Sequence, residues 1–130
     1  MRRIRVMIVD DSAVVRERIA ALLAALDGVE VAGQGSDVPT GEGLILEQRP
    51  DVLILDLDLP DQSGIDLLET ARKHNQRLLI IILSNCDHPK LRQRCVELGA
   101  DFYFHKPSEL EKVLELCRQL AERDRLAKRS

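Results

Sequence analysis

Asp10, Asp11, Asp56, Ser84 and Lys106 are the residues of this 130-residue chain whose types and placement could do chemistry. Asp10-Asp11 follows the apolar run Ile4 to Val9, Asp56 follows Val52 to Leu55, Ser84 follows Leu78 to Leu83, and Lys106 follows Asp101 to His105. Carboxylates brought to one place oppose one another's ionisation, at a cost of about a few pKa units, and a hard divalent cation offsets that cost most directly. With oxygen donors alone, and no His or Cys in the group to favour zinc, the implied ion is magnesium. Ser84 and Lys106 add a hydroxyl and an ammonium, both partners for phosphate oxygens. An Asp carboxylate beside such a cation, with Lys and Ser opposite, could attack phosphorus and become an aspartyl phosphate. Taken singly, an Asp at a strand end is a solvated loop residue, Ser84 a loop cap and Lys106 a surface charge. Their coincidence is what argues for a site.

These residues act together only if the chain positions them. Strand and helix signals alternate from end to end, with no internal repeat and no low-complexity stretch. After Ile4 to Val9 comes Ser12 as a candidate cap, then Val15, Ile19, Leu22, Leu23 and Leu26 at helical spacing, with Gly28 as the stop. Val29 to Gly35 alternates as a partly exposed edge strand does. Asp37 to Gln48 has Pro39 near its start but Gly41 and Gly43 inside, which makes a weak helix of doubtful length.

Val52 to Leu55 is wholly apolar, and a helix follows with Ile65, Leu68 and Ala71 on its buried face. The unbroken apolar run Leu78 to Leu83 suits a strand buried on both sides. Asp87 and Pro89 open a fourth helix, with Leu91, Cys95 and Leu98 inward and Gly99 as its stop. The fifth strand is Asp101 to His105. Ser108 and Glu111 make a capping-box pattern for a last helix, whose stripe is Leu110, Val113, Leu114, Cys117 and Leu120.

The first, third and fourth strands are the most apolar and should be central, with the second and fifth at the edges. This is an α/β arrangement, a flavodoxin-like doubly wound five-stranded parallel sheet of order 2-1-3-4-5 with five helices. Ligands of such sheets bind beyond the carboxyl ends of the strands at the switch point between strands one and three. Asp10, Asp11 and Asp56 stand there.

A net charge of −3 with mixed signs gives no broad basic field, which disfavours direct nucleic-acid binding. Cys86, Cys95 and Cys117 are widely spaced with no CxxC pair, and read as reduced thiols that mostly fill the core. Met1-Arg2-Arg3 precedes too short an apolar run, broken by Arg5, for a signal peptide or membrane span. A cytoplasmic location is expected.

With these residues in order, the chain resembles a response-regulator receiver domain of the chemotaxis-regulator-like kind used in two-component signalling, over nearly its full length. The resemblance rests on the acidic pair Asp10-Asp11, on Asp56 with Leu59-Pro60 and Gly64, on Ser84, on Tyr103 and on Lys106-Pro107. It implies that Asp56 is the phosphoacceptor and that Asp11 and Asp56 bind magnesium directly, with the Asp58 backbone carbonyl, while Asp10 acts mainly through water. It further implies that Lys106 contacts the phosphoryl group, that Ser84 moves to bond it, and that the Lys106-Pro107 bond is cis. A histidine kinase or phosphotransfer protein would donate the phosphoryl group from a phosphohistidine, making the chain a signalling switch rather than an enzyme.

Tyr103 would be the switch aromatic, moving between exposed and buried positions with Ser84. Phe102 and Phe104 would supply packing bulk on the opposite face of the strand. The surface of the fourth helix, fifth strand and fifth helix would then meet a downstream protein, an output domain or a second copy. Asn85 stands where a small Ala or Gly is usual, and Asp58 and Cys86 occupy positions that tune dephosphorylation in the family.

Residues 1–122 would form the receiver and 123–130 a charged tail, and the length favours a stand-alone protein. Two other readings compete. Asp56-Leu57-Asp58 resembles the nucleophile motif of haloacid-dehalogenase-type phosphatases, with Asp58 as acid/base. The chain could also be a non-phosphorylated pseudo-receiver that works by protein contact.

Overall fold

The computed structural model describes residues 3–59 and 64–127. Met1, Arg2, Pro60 of the phosphoacceptor segment and Lys128 to Ser130 of the expected tail lie outside the described residues.

Strands and helices alternate: β1 (Ile4–Val9), α1 (Ala13–Ala24), β2 (Val29–Gly35), α2 (Val38–Gln48), β3 (Val52–Asp56), α3 (Gly64–His74), β4 (Leu79–Ser84), α4 (Pro89–Glu97), β5 (Phe102–His105) and α5 (Lys106–Ala127). The five strands form one sheet of order β2-β1-β3-β4-β5, and every neighbouring pair is parallel. Order, direction and helix number agree with the doubly wound, flavodoxin-like expectation.

The apolar runs have a direct cause. Alternate residues of the central strands point to opposite faces, and both faces are covered. Met7, Val9, Leu53, Leu55, Ile80 and Ile82 pack with Val38, Ile45, Leu67, Leu68, Ala71 and Cys95, so α2, α3 and α4 cover one face. Val6, Ile8, Ile54, Ile81 and Leu83 pack with Ile19, Leu23, Val113, Cys117 and Ala121, so α1 and α5 cover the other.

Several local expectations change. Ser12 does cap α1, its hydroxyl accepting from Val15 N–H at 3.3 Å. The helix nevertheless ends at Ala24, and Gly28, at φ +79°, belongs to the turn into β2. Leu22 lies off the Ile19–Leu23 core stripe and is exposed. The doubtful second helix is a full 11 residues, capped by Asp37, which accepts from Thr40 N–H at 2.8 Å. Gly41 fits there because a Cβ would lie 2.8 Å from Leu67 and 3.2 Å from Val9, so a residue poor for helix formation lets α2 approach the sheet.

On β5 the expected division of labour is reversed. Tyr103 is buried on the face covered by α2, α3 and α4, whereas Phe102 is exposed and Phe104 only half-buried, their rings stacked 6.0 Å apart. On the other face of β5, Phe104 packs half-buried against the layer formed by α1 and α5. α4 is capped by His88 rather than Asp87, with Nδ1 accepting from Lys90 N–H at 3.1 Å. α5 starts at Lys106, ahead of the expected Ser108 cap, and Glu109 Oε1 rather than Glu111 accepts from His105 N–H at 2.8 Å. No peptide bond among the described residues is cis, so the cis Lys106-Pro107 bond is not observed; the chain enters α5 at Lys106 instead. The last helix also runs past Glu122 to Ala127.

Candidate functional site

Register places the acids. Val9 pairs with Leu55, so the next residues, Asp10 and Asp56, emerge side by side at the carboxyl edge of β1 and β3. Asp56 pairs with Leu83, one residue before Ser84, and Ser84 pairs with His105, one residue before Lys106. Four separated sequence positions thus reach one edge of the sheet.

Asp10, Asp11 and Asp56 each offer a carboxylate oxygen, and these oxygens lie within 4.8 Å of one another. Asp10 and Asp56 are both 1% exposed, while Asp11 is open to solvent. The Lys106 ammonium bridges the buried pair, 2.8 Å from Asp10 Oδ2 and 3.1 Å from Asp56 Oδ2. Asp58 N–H donates to Asp56 Oδ1 at 3.0 Å, and Ser12 N–H donates to Asp10 Oδ1 at 2.9 Å. Asp10 Oδ2 is buried, and the Lys106 ammonium is its charge partner there.

The electrostatics follow from this crowding. Burial pushes the Asp56 carboxyl up to about 6; the Asp10 charge adds to the rise, while the Asp58 N–H and Lys106 oppose it. Burial alone would lower the Lys106 ammonium, but Asp10 and Asp56 outweigh it and hold that group above its usual value. One cation is shared by the two buried acids, and the exposed Asp11 stands beside them. The oxygen-only donor set and the raised Asp56 together fit a further hard cation at this edge. Such an acidic cluster is typical of a receiver metal site.

Gly64 lets the site's floor close. A Cβ there would come 2.7 Å from Leu57 Cα, 2.8 Å from Leu57 O and 3.0 Å from Asp56 O, so only glycine lets α3 start against the segment that follows Asp56. Gly64 N–H also donates to Leu57 O at 3.2 Å.

The remaining expected residues divide. Ser84 is wholly buried at the end of β4, and its hydroxyl accepts from Cys86 N–H at 3.0 Å. Tyr103 lies inward with its hydroxyl donating to Cys86 O at 2.6 Å, and burial pushes its phenol up against a lowering pull from the Ser84 hydroxyl. It is therefore linked to the site through the β4–α4 loop rather than placed in the acid cluster. The Asp58 side chain turns away from the cluster and accepts from Asn85 N–H at 3.0 Å.

Sequence reasoning missed two neighbours. Arg16 donates to Asp10 O at 2.7 Å, bracing the turn that presents the acidic pair; its place four residues after the Ser12 cap was the available signal. His105 joins Asn85 O (Nε2, 3.2 Å) to Ser108 Oγ (Nδ1, 2.9 Å) and so ties the β4–α4 loop to α5. Nothing in the sequence marked that contact, because it depends on the β4–β5 register.

Comparison with known proteins agrees with this geometry. The family model described as response regulator receiver domain matches residues 6–118. A protein-glutamate methylesterase/protein-glutamine glutaminase of Treponema denticola is 35% identical over 113 residues, covering 85% of this chain and 30% of the relative. The chain thus spans under a third of that relative's length. Among solved structures, the response regulator domain of Thermotoga maritima CheB superposes with a TM-score of 0.83 at 25% identity, covering 93% of this chain and 98% of that one. The isolated REC domain of RcsB from Salmonella enterica serovar Typhimurium, solved with the phosphomimetic BeF3−, gives 0.77 at 27% identity, covering 87% and 86%. Such domains are signalling modules that interact with histidine kinases, and the chain belongs to the response regulator receiver domain family.

Proposed function

We propose that this chain is a phosphorelay receiver in which Asp56 accepts a phosphoryl group from a phosphohistidine on a histidine kinase or phosphotransfer protein. The observation that carries this reading is the buried Asp56 carboxylate, held between the Asp58 N–H and Lys106 and within 4.8 Å of two more acids. An Asp56 oxygen would form the new bond to phosphorus as the phosphorus–nitrogen bond breaks and the imidazole leaves. Lys106 would follow the charge from Asp56 to the phosphoryl oxygens, and Ser84 would donate its hydroxyl proton, which its bond from Cys86 leaves free. Asp10, Asp11, Asp56 and the Asp58 backbone carbonyl would hold a magnesium ion, which when bound neutralises phosphoryl-oxygen charge and keeps Asp56 ionised.

The RcsB relative's capture with a phosphomimetic anion supports the same assignment. The engagement of the Asp58 carboxylate by Asn85 disfavours an acid/base role for it and so the phosphatase reading. No helix among the described residues is long and apolar enough to cross a membrane, and we take residues 1–122 as a receiver acting in the cytoplasm on a protein partner. The methylesterase activity named for the longer relatives is not assigned to this chain.

Intact-mass measurement after incubation with acetyl phosphate and magnesium tests the reading. The wild type should gain one phosphoryl group and Asp56→Asn none. A gain in both proteins would remove Asp56 from its role, and no response of the wild type to acetyl phosphate or beryllofluoride would favour the pseudo-receiver.

A further inference from the structure

Tyr103 is held from two sides. On the inner side its hydroxyl donates to Cys86 O at 2.6 Å, and the N–H of the same Cys86 donates to Ser84 Oγ at 3.0 Å. On the outer side the Arg92 guanidinium of α4 lies 4.9 Å from the ring centroid and donates to Tyr103 O at 3.2 Å. Asp87, in the loop before α4, fixes that guanidinium by accepting from it at 2.9 Å. A continuous path therefore runs from the site hydroxyl through one cysteine backbone to the tyrosine, and from its ring to an ion pair on the α4 surface.

We propose that Arg92 is a positioning residue: with Asp87 it latches Tyr103 in the buried position and thereby sets the Ser84 hydroxyl for an occupant of Asp56. The α4 face thereby helps to choose the state of the site. A cation over an aromatic face is attracted by the ring quadrupole, and the carbonyl bond makes that contact specific to one ring position. By linkage, a group that favours one tyrosine position raises the affinity of any ligand needing that position in proportion to the population it adds. The Arg92 side chain is 44% exposed, so its truncation opens no cavity.

This inference rests on the phosphoacceptor reading only for its effect on the site, and the two separate cleanly. Tyr103 is the only tyrosine and the chain has no tryptophan, so intrinsic emission reports this side chain alone. Acrylamide quenching of the wild type, Arg92→Ala and Arg92→Lys should show access rising about fivefold in Arg92→Ala, with Arg92→Lys between them. Titration with magnesium and beryllofluoride should show a dissociation constant raised about twofold in Arg92→Ala, as the buried population falls from about nine-tenths to about half. Unchanged quenching in both variants overturns the latch. Raised quenching with unchanged beryllofluoride affinity overturns its link to Ser84. Absence of beryllofluoride binding by the wild type counts against the phosphoacceptor reading, and quenching still decides the position of Tyr103. Should Arg92→Ala not fold, Arg92→Lys and Asp87→Asn carry both measurements.

Discussion

The two ends of the sheet treat charge in opposite ways. At the amino edge every charged group that reaches inward finds partners. Arg72, on α3, donates to Gly99 O (2.7 Å), Leu78 O (2.7 Å), Gln76 O (2.9 Å) and Asn75 O (3.2 Å) and pairs with Asp101 at 2.9 Å. Asp101 also accepts from Ile80 N–H, and Asp51 accepts from Arg5 N–H, each at 2.8 Å. Arg5 in turn reaches Glu30, the Gln48 side chain and the Gln48 carbonyl. At the carboxyl edge one lysine serves two buried acids with a third beside them, and the central carboxyl is pushed up to about 6. The amino edge is complete without a ligand. The carboxyl edge is balanced only when a cation or a proton arrives, and the fold bears the cost meanwhile.

Substitutions at the two edges should therefore have opposite signs. Arg72→Ala strands four carbonyls and Asp101, and should lower unfolding stability by about 3 kcal/mol, read as the urea midpoint. A stability unchanged from wild type would mean that the amino edge does not depend on this clamp. Magnesium at a hundredfold excess over its dissociation constant should raise wild-type stability by about 2.7 kcal/mol, with most of the gain lost in Asp56→Asn. In the metal-free protein near pH 7, Asp56→Asn itself should be stabilising by about 2 kcal/mol.

The pH dependence carries the same sign. A carboxyl whose folded pKa is raised from 3.8 to about 6 binds its proton more tightly when folded, so its contribution to stability is present below 3.8 and lost as pH rises through about 6. The stability difference between Asp56→Asn and the metal-free wild type should accordingly grow between about pH 4 and pH 6 and level off above. A difference constant with pH would show that Asp56 is not perturbed. Glu115→Gln, which removes an exposed α5 pair with Arg118, should leave the urea midpoint where it is.

Much of this was legible beforehand because burial on both faces writes itself into composition. Three apolar runs suited central strands, the length of Leu78 to Leu83 favouring a strand over part of a buried helix, and the residues after them would then share an edge. The edge strand was harder to read. Tyr103, Phe102 and Phe104 alternate as any strand does, and alternation cannot say which face is the more deeply covered. Helix ends were misplaced for a related reason: Ser108 and Glu111 match a capping pattern, but the end is closed by Glu109 reaching back to His105 once β5 has fixed where α5 begins.

The sequence by itself determined the layered fold, the strand order and the identity of the five polar residues at the carboxyl edge, since these follow from periodicity and from which residue ends each run. Tertiary structure alone decided how those residues face one another. Whether Asp10 shares Lys106 with Asp56, whether Asp58 turns to Asn85 and whether Arg92 closes over Tyr103 depend on register and on helix placement across the sheet. Those contacts join residues up to 96 positions apart, beyond the reach of any local pattern.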